Sequence, residues 1–184
     1  GLAAGLSLKY VYVMLAPASV TPDGVAGAGD TFAADIGVLA HLQEIVPSLP
    51  LPVSLGLNLQ NLGPNIAFID QEQSDPIGRN LKVGIGAQVL SLSKLTGLLV
   101  YDFNQSLIYR EVQVHNVGAE VTYANFMSLR GGYIYDKRGE IKDPTFGVGF
   151  VIDLGVNNFG FDYASGAQAR GLDRVNKLSI TFRF

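Results

Sequence analysis

Residues 177–184 read KLSITFRF, and their alternation carries most of the argument about fold. Leu178, Ile180, Phe182 and Phe184 fall on one face of an extended strand, and Lys177, Ser179, Thr181 and Arg183 fall on the other. A period of two is the mark of a sheet strand with one apolar and one polar face. The strand runs to an aromatic ring with no polar tail, whereas the ends of soluble sheets usually trail into a few polar residues.

Working outward from that stretch, the same alternation recurs along nearly the whole chain. Leu6, Leu8, Tyr10, Tyr12 and Met14 share a face, as do Phe32, Ala34, Ile36 and Val38. Val53 to Gln60, Leu81 to Val89 and Leu99 to Asn104 follow the rule, as do Val117 to Tyr123, Leu129 to Asp136, Phe146 to Leu154 and Phe159 to Tyr163. With the last stretch this makes ten candidate strands. The connections alternate in length: 16–30, 63–78, 105–113, 137–144 and 165–174 are long, and those at 90–94, 124–128 and 155–158 are short. The segment 41–52 is long where a short turn is due. Pro47, Pro50 and Pro52 exclude a central strand there, so a short helical turn with an extended lead-in is expected. Long-short alternation is the pattern of an up-and-down barrel with long outer loops and short inner turns.

The chain has 184 residues, enough for one domain, and carries a net charge of -3. Charged residues are 16%, against roughly 25% in an average soluble domain. Apolar residues are 48%, mean hydropathy is +0.26, and there are 22 Gly, 10 Phe and 8 Tyr. The absence of basic clusters excludes a nucleic-acid surface. With no Cys there are neither disulfides nor thiolate metal sites. No stretch reaches the roughly 18 apolar residues of a membrane helix. Gly1 opens without a charged leader, so a mature chain or a fragment is expected.

A soluble β-barrel or sandwich is the plainer alternative. Against it stands the second face, built of Gly, Ser, Thr, Asn and isolated charges rather than dense Lys and Glu. Aromatics near strand ends on the apolar face (Tyr101, Phe103, Tyr123, Tyr133, Tyr135, Phe159 and Tyr163) match interfacial girdles. The expected fold is therefore all-β, an antiparallel up-and-down transmembrane barrel of the outer-membrane type. Its inward charges are Lys9, Asp35, Lys82, Asp102, Glu120, Arg130, Asp153, Asp162 and Arg183. Facing lipid, each would cost a few kcal/mol near the midplane. Inside, two readings stand: ion pairs that plug a narrow barrel, slightly favoured, or the lining of a conduit.

Signs of catalysis are sparse. His41 and His115 are read as solvated or loop histidines, and no G-x-S-x-G elbow occurs. The stretches GAGD (27–30) and GVGF (147–150) lack the Walker lysine and a following helix, so they read as strand glycines. The acidic segments Asp70 to Asp75 and Glu140 to Asp143 lack the EF-hand spacing. No enzyme activity, cofactor or metal is expected.

The stretch LGLNLQNLGPNIAFID (55–70) followed by DPIGRNLKVGIG (75–86) resembles the PorV/PorQ family of outer-membrane barrels, which is similar to the FadL fatty-acid transporters. GLSLKYVYVMLAP (5–17), TFAADIGVLA (31–40), GAEVTYANFMSLRGGYIYD (118–136), TFGVGFVIDLG (145–155) and FDYA (161–164) look like further family segments in the same order. The resemblance implies a fourteen-stranded barrel in a Bacteroidota-like outer membrane, of which this chain would be the C-terminal portion. It also implies a part in type IX secretion, binding the C-terminal domain of cargo or the translocon, with contacts sought in loops 62–78 and 165–175. The alternative is FadL-like transport of hydrophobic small molecules. Finally, Leu178, Ile180, Phe182 and Phe184 resemble the terminal strand that the outer-membrane assembly machinery reads, a strand expected to pair with the first to close the barrel.

Overall fold

The computed structural model describes residues 1–22, 24–68, 74–168 and 171–183. In chain order the elements are β1 (Leu2–Ala16), β2 (Gly27–His41), α1 (Leu42–Ile45), β3 (Val53–Leu62), β4 (Ile66–Ala67), β5 (Ser74–Asp75), β6 (Asn80–Ser91), β7 (Leu95–Ser106), β8 (Gln113–Tyr123), β9 (Met127–Asp136), β10 (Ile141–Asp153), β11 (Asn158–Gly166) and β12 (Val175–Arg183). All but α1, β4 and β5 form one ten-stranded sheet in the order β1-β2-β3-β6-β7-β8-β9-β10-β11-β12. Every pairing is antiparallel and between strands consecutive in that order, so the sheet is an up-and-down meander. The ten strands are those the alternation marks out, and α1 is the expected helical turn before the prolines. No described helix is long and apolar enough to cross a membrane.

The strands run further than the periodicity suggests. β2 begins at Gly27, where pairing with β1 imposes extension on glycines that have no side-chain pattern to show. The connection expected over 137–144 shrinks to the turn at 137–140, because β10 starts at Ile141 and takes in Pro144. Proline is tolerated there since that stretch of β10 pairs only with β9, Pro144 opposite Tyr133. Pairing with β11 begins at Phe146. The tight β8–β9 turn holds Ala124 and Asn125 at φ 51 and 55, closed by a bond from the Phe126 N–H to the Tyr123 carbonyl at 2.9 Å. That is the geometry of a primed hairpin turn, whose twist suits the flanking strands.

The sheet does not close on itself in the described residues: β1 and β12 are its two edges. The expected pairing of the last strand with the first is therefore not observed. β1, with 15 residues, and β12, with 9, each keep one row of backbone groups without a strand partner.

Burial is the fold's most informative property. Among the described residues no side chain is fully enclosed, and the buried apolar core amounts to Ala33 and Ile66, each 5% exposed. Large apolar residues instead stand outward on one face of every strand: Leu6 is 69% exposed, Leu8 80%, Val117 55% and Ile180 73%. A domain ordinarily buries such a face against a second layer. Among the described residues no second layer covers it, and a small one lies on the opposite, polar face. Within the 63–79 connection, β4 and β5 pair and β4 lies against β2. The approach is so close that a Cβ on Gly29 would sit 2.2 Å from the Ala67 carbonyl oxygen, and one on Gly63 2.1 Å from that of Phe32. Part of this loop thus folds onto the polar face rather than projecting outward. Ile69 to Gln73, including Asp70 of the acidic segment, lie outside the described residues.

Candidate functional site on the concave face

Strand register decides which side chains meet. Across β1 to β12 the paired rows put Lys9, Asp35, Lys82, Asp102, Glu120, Arg130, Asp153, Asp162 and Arg183 all on the polar face. Two hollows are sunk into that face, one of about 480 Å³ spanning β1 to β7 and one of about 410 Å³ spanning β7 to β11. Both are lined by strand glycines and by Asp102, so the polar face is the concave one.

Two charge clusters stand out. In the first, Lys9 pairs with Asp35 at 2.6 Å and donates to Asn61 Oδ1 at 2.9 Å. The β2–β3 register shifts here, and Asn61 adopts a φ of 56. Its N–H leaves the ladder and donates to Asp35 Oδ1 at 2.8 Å, while its Nδ2 donates to the Gly78 carbonyl at 2.7 Å. The ion pair thereby holds a bulge, and the bulge holds the far end of the 63–79 loop. Arg79 anchors the near end through Nη2, which donates to the Gly63 carbonyl and to Asn65 Oδ1 at 2.8 and 3.0 Å.

The second cluster joins three strands. Arg130 on β9 donates from Nε to Glu120 on β8 and from Nη1 to Asp162 on β11, both at 2.5 Å. It reaches across β10 because Gly147 and Gly149 leave that strand bare. A Cβ on Gly149 would lie 2.5 Å from Asp162 Oδ1 and 3.0 Å from Arg130 Nη1. Thr122 supports the cluster, with its hydroxyl 3.2 Å from Glu120 Oε1 and 2.8 Å from Ser128 Oγ.

The remaining predicted charges do not join these clusters. Lys82 stands in register between Asn58 and Asn104, whose side-chain oxygens are buried without a hydrogen-bond partner. Asp102 lies opposite Gly84, where an added Cβ would come within 2.4 Å of its Oδ1. Neither forms an ion pair among the described residues. Asp153 belongs to the rim: its Oδ1 accepts from the Gly155 N–H at 2.8 Å, closing the β10–β11 turn. Arg183 ends β12 opposite Asn158. No group of three or more His, Asp or Glu able to hold a metal occurs among the described residues.

Sequence reasoning missed Arg174. From the β11–β12 loop it donates to Asp143 at 3.0 Å, to the Pro144 carbonyl at 2.8 Å and to Ser165 Oγ at 3.1 Å, and stacks over Phe146. It covers the end of β10 that lacks β11 as partner. Its neighbours, Asp143 and Pro144, are 31 and 30 residues back in sequence, and no local pattern links them.

The convex face is graded by height. Toward the rim of the longer loops it carries Tyr10 against Phe32, and His115 among Tyr101, Phe103 and Tyr135, with Lys142 above Tyr135. His115 is thus an aromatic-band residue bonded to the Tyr101 hydroxyl at 2.8 Å, and not a solvated loop histidine. His41, by contrast, sits at the other rim, 2.9 Å from Ser54 Oγ. That rim carries phenylalanines: Phe126 meets Phe150, and Phe159 meets Phe182 with centroids 4.7 Å apart. Leu178, Ile180 and Phe182 lie on this convex face opposite Tyr163, Phe161 and Phe159, while Phe184 lies outside the described residues. No protein-family model and no curated protein matches the chain.

Proposed function

We propose that this chain is the body of a bacterial outer-membrane β-barrel of the PorV/PorQ type, a non-enzymatic component of type IX secretion. It would bind cargo or translocon partners at the rim of its longer loops. One observation carries the membrane part of the reading. Among the described residues only Ala33 and Ile66 are buried as apolar core, while a continuous apolar face stands outward. In water such a face would associate or aggregate; in lipid it is already buried. The tyrosine-rich and phenylalanine-rich bands then take the two interfaces. Lipid leaves no open edge without cost, so in the membrane β1 and β12 pair, with each other or with further strands of a fourteen-stranded barrel.

The secretion role rests on the motifs from 55 to 86 and on recognition by rim loops. It is tested by purification from the native membrane in mild detergent. Co-purification of a large translocon barrel or of cargo, lost when residues 167–174 are shortened, supports it. A clean monomer whose loop-shortened form secretes normally refutes it. A second reading, FadL-like passage of hydrophobic molecules, is favoured by Leu98, an apolar side chain 37% exposed on the concave face.

A further inference from the structure

We propose that the hollow spanning β7 to β11 binds a small organic cation with an apolar body, with Asp102 as its counter-charge. The volume of about 410 Å³ falls within the range of small-molecule sites and suits a single-ring or short-chain compound. Leu98 and Val100 form its floor, side by side on the concave face of β7. They remain uncovered because the strand beside them presents Gly118, whose added Cβ would meet Val100 Cγ2 at 3.0 Å. An apolar floor in a polar concavity gains when an apolar group displaces water from it.

The charges around that floor select the sign of the ligand. Asp102, Glu120, Asp162 and Arg130 line the hollow, three carboxylates against one guanidinium, an excess of negative charge. Arg130 is engaged with Glu120 through Nε and with Asp162 through Nη1. Asp102 has no ion pair among the described residues; its carboxylate stands over the bare Gly84, at the border that both hollows share. Lys82 lines the neighbouring hollow and not this one. An anion would face an excess of like charge, and a neutral molecule would leave Asp102 without a partner. A cation meets both the carboxylate and the floor, in a concavity that focuses the field. This inference rests on the concave face alone, so failure of the secretion role leaves it intact.

The test uses the full chain in lipid nanodiscs, with empty nanodiscs as the blank, and three probes sharing one body: phenethylammonium, phenethyl alcohol and phenylacetate. Calorimetric titration is expected to show saturable binding of the ammonium, tighter than the alcohol by about fivefold or more, and no binding of phenylacetate. Asp102→Asn, nearly isosteric, should bring the ammonium down to the affinity of the alcohol. Leu98→Gln should weaken both, and higher salt should weaken only the ammonium. A heat-modifiability gel checks that each variant is folded. Equal affinity for ammonium and alcohol in the unaltered chain overturns the proposal, as does full ammonium affinity in folded Asp102→Asn or Leu98→Gln.

Discussion

Replacing Leu99 by arginine should destabilise the protein in a bilayer far more than the same replacement at its neighbour Leu98. Leu99 points outward and is 49% exposed, flanked in register by Ala87 and Ala119. It lies four residues into β7 from Leu95. At a rise of about 3.4 Å per residue and a tilt near 40°, that is roughly 10 Å above the lower rim. An apolar band about 25 Å tall puts this close to the midplane, where an outward arginine costs about 2–4 kcal/mol. Leu98 faces the concave side, directly opposite Glu120. An arginine there stays wet and gains at most about 1 kcal/mol from an exposed ion pair. The two variants should therefore differ by about 2–5 kcal/mol, some thirtyfold or more in the folding equilibrium. Urea titration of reversible folding into lipid vesicles measures both. A difference within about 0.5 kcal/mol, inside ordinary surface scatter, would refute the assignment of the convex face to lipid.

Three further outcomes are expected. Arg130→Met leaves Glu120 and Asp162 without their shared cation. The side chains are 43%, 31% and 38% exposed, so the loss should be modest, about 1–2 kcal/mol by urea titration, with non-additive coupling to Asp162→Asn. Gly29→Ala should push the 63–68 segment off β2, costing about 1–3 kcal/mol and opening that segment to protease, while Gly5→Ala, with nothing within 4 Å of the new methyl, should be neutral. Deleting Phe184 should slow insertion by the assembly machinery in reconstituted membranes while leaving urea stability in preformed vesicles nearly unchanged; normal insertion would count against the terminal strand as an assembly signal.

How much of this was legible in the sequence depends on the range of the interaction. Period-two alternation is local, so all ten strands and the common face of the nine charges could be read directly. Strand ends were less legible: nothing around Pro144 reveals that β11 stops short of it and so leaves it a one-sided ladder. Pairing among the charges was not legible at all. Arg130 meets Asp162 across 32 residues only because the register aligns them and two glycines on β10 clear the way. The inward fold of residues 63–67 depends on close backbone approach at Gly29 and Gly63, which composition does not distinguish from ordinary strand or turn glycine. His115 could have been placed in the aromatic band by the parity that places Val117; its polar character argued otherwise, and its bond to Tyr101 explains why it is tolerated there.

The central claim is that the convex face meets lipid and the concave face meets water. Because the chain contains no cysteine, single spin labels can be placed without background from Leu95 to Ser106 along β7. Accessibility to oxygen and to a water-soluble nickel chelate, measured in bilayers, should then alternate residue by residue. Oxygen should dominate at 97, 99, 101 and 103, and nickel at 98, 100, 102 and 104. Nickel access that is uniformly high on both faces would contradict the account.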